Sequence, residues 1–153
     1  MITPSADFDL GRDNRMKERP EDARRQWRTV EVILERFFHP RSSQRFEIQI
    51  LADEVGMGKT FVALGLAYSI LAHLKQSRTE PDLDGCYQRV LVLTPNNHAL
   101  YRKWVREVSE FKRRCVPPAS QSADINFAPL AVDRLDDLAV ALRKPGQIGR
   151  AHV

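Results

Sequence analysis

The sequence predicts an α/β fold, a parallel sheet with helical crossovers. Three observations carry that expectation. Residues 46–53 (FEIQILAD) and 89–95 (RVLVLTP) are short apolar runs of strand character. Each leads into a stretch with helical spacing, at residues 59–75 and 97–114. A glycine loop joins the first strand to its helix, and strand followed by helix, repeated, implies parallel strands with crossovers between them.

Taken in order, residues 1–20 are polar, with Pro, Gly, Asp and Asn scattered through them, and are expected to form a mobile leader. Residues 21–143 form the folded lobe. Its first helix spans residues 21–38, where Trp27, Val30, Ile33, Leu34 and Phe37 share one apolar face. Pro40 and the serines after it break that helix. The strand at 46–53 follows, then the loop, then a helix that is apolar nearly all round and so predicts burial against a sheet. Residues 77–88 are a polar connection. The run at 89–95 has the continuous apolar character of a strand buried on both faces.

The helix at 97–114 places Leu100, Trp104, Val108 and Phe111 on one stripe, which makes Trp104 a core residue rather than a stacking platform. A third strand is expected at 125–132, weakened by Pro129, and a third helix at 133–144. Asp133, Asp136 and Asp137 suit the start of that helix, where acids are favoured.

The chain has 153 residues, enough for a core, and a net charge of +4 with a pI of about 9.3. That charge points to nucleic acid only if it clusters. Cys86 and Cys115 lie far apart with no CxxC, which suggests neither a disulfide framework nor a zinc site and fits a reducing compartment. The N-terminus shows no signal peptide, and the longest apolar run, residues 61–74, is too short to span a bilayer.

The chemistry concentrates in residues 50–64, ILADEVGMGKTFVAL. Gly56, Met57, Gly58, Lys59 and Thr60 read as a phosphate-binding loop. Glycines let the backbone approach phosphate oxygens, and the first turn of the following helix offers N–H groups and a favourable dipole. Lys59 would reach the β and γ phosphates, and the Thr60 hydroxyl would complete a Mg2+ shell. Asp53 stands where the usual motif has its first glycine, with Glu54 beside it. Carboxylates repel a triphosphate by about 1 kcal/mol or more per close pair, so both are expected to aim away or to be neutralised.

Residues 51–60, LADEVGMGKT, resemble motif I of the Swi/Snf-type branch of superfamily 2 helicases and DNA translocases. Residues 89–111 are similar to the motif Ia segment of that branch, through Pro95, Trp104 and Glu107, although the gap from Pro95 to Trp104 is longer than usual. Residues 24–37, RRQWRTVEVILERF, resemble the helix that carries its adenine-contacting glutamine, with Gln26 at that place.

The resemblance implies a partial RecA-like P-loop NTPase lobe that binds ATP and Mg2+. Adenine would lie near Gln26 and phosphates on residues 56–60. Lys59 and Thr60 would be the catalytic residues, and nucleic-acid backbone, expected to be duplex DNA, would run along Thr94, Pro95, Asn96 and Asn97. The free amides expected at that strand end point the same way. Lys112, Arg113 and Arg114 read instead as cations complementing a helix C-terminus. A bacterial, cytoplasmic and nucleoid-associated setting is expected.

The acidic box, the later motifs and the arginine finger of such a motor are not recognisable, so these residues alone are not expected to hydrolyse ATP efficiently. Residues 144–153 form a tail, and 148–153 (IGRAHV) read like a translated sequencing adapter, so the native chain is expected to run on. The alternative is a stand-alone nucleotide- or nucleic-acid-binding module without catalysis.

Overall fold

The computed structural model describes residues 2–39, 48–52, 58–76, 90–94, 97–118 and 136–137. A 3-10 turn, Leu10–Arg12, and the one-turn helix α1, Asn14–Lys17, precede three long helices. These are α2, Pro20–Phe38, α3, Lys59–Gln76, and α4, His98–Cys115.

Each long helix has a local reason to form. Pro20 sits at the start of α2, where its missing N–H costs nothing, and Glu21 and Asp22 complement the positive end of the helix. Helix α2 then buries Val30, Ile33 and Leu34 on one stripe. Asn97 caps α4, its Oδ1 accepting from Ala99 N at 2.9 Å. Lys112, Arg113 and Arg114 occupy the last turn of α4, against its negative end.

Among the described residues there is no strand, so the α/β expectation, a partial RecA-like P-loop NTPase lobe with a parallel sheet, is corrected to a helical packing. The reason lies in what covers α3. An apolar run on a helix demands cover on several sides, and a sheet is one way to supply it. Here α2, α4 and the N-terminal segment supply it instead. Phe61, Val62, Leu64, Ala67, Tyr68 and Leu71 are buried between them. The two runs expected as strands keep apolar side chains in water, with Ile48 and Ile50 80% and 79% exposed and Leu93 66% exposed. A strand is fixed by hydrogen bonds to a neighbour, and an apolar pattern alone does not provide one. Gln49 is instead tied to α2, accepting from Arg36 Nη1 at 3.0 Å.

The N-terminal segment departs from the mobile leader expected of it. Phe8 and Leu10 are 2% and 1% exposed, at the centre of the core. The Phe8 ring stands 5.0 Å from Trp27, 5.8 Å from Tyr68 and 5.6 Å from Phe111, so one side chain joins all three long helices. Gly65 makes room for it, since a Cβ there would lie 3.2 Å from Phe8 Cζ. Two main-chain N–H groups pin the segment, Asp9 N donating to the Cys115 carbonyl at 2.8 Å and Ser5 N to the Ser69 side-chain Oγ at 3.1 Å.

The third strand expected at 125–132 and the tail at 144–153 lie outside the described residues. Of the third helix, Asp136 and Asp137 are described, and both are helical and exposed.

Candidate nucleotide site

Helix α3 begins at the residues that the loop motif singles out. Gly58 has φ of +81°, the left-handed region that side chains with a Cβ avoid. Its carbonyl accepts from Phe61 N at 2.9 Å and Val62 N at 3.1 Å, so the helix winds directly out of that glycine. Lys59 and Thr60 are therefore the first two helical residues, both half-buried. A cation and a hydroxyl stand together at the positive end of an 18-residue helix. Gly56 and Met57, with Asp53 and Glu54, lie outside the described residues.

Gln26 meets this turn from α2. It is 2% exposed, and a Cβ added at Gly58 would fall 2.2 Å from Gln26 Nε2 and 2.7 Å from Cδ. Only a glycine admits the carboxamide at that distance. The fold thus brings together two residues singled out separately in the sequence. It places Gln26 inside the protein, against main chain, rather than on an open surface.

An ion cluster around the buried carboxylate of Asp13 supports the same turn, and reading the sequence alone missed it. Asp13 is 1% exposed and receives Arg15 Nη2 at 2.6 Å and Arg114 Nη1 at 3.2 Å. The Arg15 guanidinium then stacks 4.9 Å above the Phe61 ring, in the first turn of α3. Burial pushes the Asp13 carboxyl up, but the hydrogen bonds and charge of Arg15, with Arg114 behind it, outweigh this and hold it below the usual range. The available signal was capping chemistry. Asp9 accepts from Gly11 N at 2.8 Å and Asp13 from Arg15 N at 3.0 Å, each two residues on.

The residues assigned to nucleic acid stand elsewhere. Phe61 packs on Phe111, with 5.8 Å between rings, so the C-terminal half of α4 lies against the start of α3. At about 1.5 Å of rise per residue, Asn97 is roughly 20 Å along α4 from Phe111. Thr94 is half-buried and Asn97 is exposed, while Pro95 and Asn96 lie outside the described residues. The Asn97 side chain also accepts from Leu100 N at 3.4 Å, so it occupies amides that were expected to be free. Arg102, Lys103 and Arg106 are exposed along α4. Arg113 pairs with Glu110 at 2.7 Å on the surface of α4, and Arg114 pairs with the buried Asp13 at 3.2 Å, so both arginines have a carboxylate partner within the chain. Trp104 and Val108 pack against the core, as their stripe predicts, and Leu100 is 37% exposed.

The turn presents in order a left-handed glycine, a lysine and a hydroxyl, and the space that a Cβ would take at Gly58 is filled by the Gln26 carboxamide. Among the described residues no group of three or more His, Cys, Asp or Glu side chains gathers as a protein-only metal site. Cys115 is buried, and that burial pushes its thiol up to about 12, which makes it inert at neutral pH. Cys86 lies outside the described residues. Among the described residues no helix is long and apolar enough to cross a membrane. No family model, curated protein or solved structure matches the chain.

Proposed function

We propose that this chain binds Mg-ATP at the start of α3, as the nucleotide-binding part of an ATP-driven, helicase-like translocase on nucleic acid. The observation that carries the reading is the turn itself: Gly58 at φ of +81°, opening a helix whose first residues are Lys59 and Thr60. Lys59 neutralises the β and γ phosphates, and the Thr60 hydroxyl supplies one oxygen to the Mg2+ that accompanies them. When bound, that ion screens phosphate charge.

The track is nucleic-acid backbone, duplex DNA by preference, met by the segment that leads into α4 and by the exposed cations Arg102, Lys103 and Arg106. Contacts of this kind are independent of sequence and weaken steeply with salt. The setting that suits this activity is the bacterial cytoplasm, at the nucleoid.

Titration of the chain with Mg-ATP by calorimetry tests the nucleotide assignment. Lys59→Ala removes a charge-assisted contact and is expected to weaken binding by about 1.5–3 kcal/mol, roughly 10- to 150-fold. Equal affinity in the two proteins rejects the site. Binding without turnover in the longest native chain selects the alternative, a binding module without catalysis.

A further inference from the structure

Gln26 is a polar side chain in an apolar place. It belongs to α2, yet the residue is 2% exposed and its carboxamide fills the space that a Cβ at Gly58 would take, with Nε2 2.2 Å from that position. A group that reads a base must face the cavity where the base sits. A group that sets a backbone must touch that backbone, and Gln26 does so at the residue where φ is +81°.

The two features depend on each other. A left-handed turn at Gly58 is available to the chain but not enforced by it, because glycine populates many conformations. A rigid amide packed on one side removes alternatives. The amide itself is held by α2, whose neighbouring residues Ala23 and Val30 are buried on the same side of the helix. The first turn of α3 is also held by Arg15 over Phe61, and Arg15 is itself fixed by Asp13.

We propose that Gln26 is a positioning residue for the phosphate-binding turn, acting on the Gly58 backbone and not on the base of the nucleotide. This rests on the triphosphate reading given above. It replaces the adenine contact that the resemblance implies for Gln26. It also fixes a substrate class: at this residue the site selects a triphosphate and is indifferent to the base it carries.

The test uses the whole 153-residue chain and three probes, each with Mg2+: ATP, GTP and inorganic tripolyphosphate. Gln26→Met keeps nearly the same shape and removes the amide, and Gln26→Glu serves if Gln26→Met does not melt cooperatively. Either variant is expected to weaken all three probes by the same factor, about tenfold. A loss confined to ATP shows that Gln26 reads adenine and overturns the proposal. Unchanged binding of all three, with or without a fall in melting temperature, shows a purely structural glutamine and overturns it as well. Lys59→Ala separates this from failure of the underlying reading. If the unaltered chain binds none of the probes, or binds them equally after Lys59→Ala, the triphosphate site is rejected and Gln26 positions nothing.

Discussion

Phe8 and Ile50 are both large apolar residues, and one is 2% exposed while the other is 79% exposed. Phe8 lies in the most polar part of the described chain. Ile50 lies in one of its most apolar runs. The difference is partnership. Phe8 is delivered to three aromatic rings by a segment whose turns are capped by Asp9 and Asp13 and whose backbone is bonded to α4. Ile50 belongs to no helix, and no strand accompanies it among the described residues. Burial follows from what the neighbouring elements can offer, and the apolar content of a stretch measures only its demand.

Three substitutions sharpen or break this comparison. Phe8→Ala is expected to have the largest effect, destabilising the fold by about 3–5 kcal/mol in urea unfolding, because the ring fills the junction of three helices. A loss under about 1 kcal/mol would mean that residues 2–19 do not hold the core together.

Asp13→Asn is expected to cost about 1–3 kcal/mol at neutral pH, since two arginines lose a buried anionic partner. Its pH dependence has a definite sign. The folded carboxyl is held below its ordinary value, so the stabilisation is present above about pH 4 and is lost as pH falls through the lower folded value. The gap between the unaltered chain and Asp13→Asn should therefore narrow on acidification below about pH 4. A gap that stays constant would show that the carboxylate charge is not what matters.

Ile50→Ser completes the series, with an expected change within about 0.5 kcal/mol, because the side chain is already in water. A cost near that of Phe8→Ala would show that Ile50 is covered in solution.

Much of the helical structure was legible in the sequence. The stripe from Trp27 to Phe37 marks α2, the stripe from Leu100 to Phe111 marks α4, and the all-round apolar run marks α3 as buried. Periodicity reports which side of an element is buried. It says nothing about which neighbour buries it, and for that reason α3 was matched to a sheet and not to Phe8, α2 and α4. The apolar runs at 46–53 and 89–95 were misread on the same ground in their described parts, 48–52 and 90–94, since strand character is a property of a pair.

The candidate site was legible in part. Gly58, Lys59 and Thr60 stand out as a motif, and the helix begins where the motif places it. The seat of Gln26 on Gly58 was not readable, because spacing along α2 does not reveal which residue of a later helix will face it. The ion cluster of Asp13, Arg15 and Arg114 was hidden for the same reason, since Asp13 and Arg114 lie 101 positions apart.

The most direct test of the account is amide hydrogen exchange on the whole chain with and without Mg-ATP, read at Phe61 and Val62, whose N–H groups both donate to the Gly58 carbonyl. A nucleotide seated on the start of α3 should slow exchange at these two amides and leave the C-terminal turn of α3 unchanged. Equal exchange with and without nucleotide, or protection appearing only at a distant helix, would contradict the placement of the triphosphate at Gly58, Lys59 and Thr60.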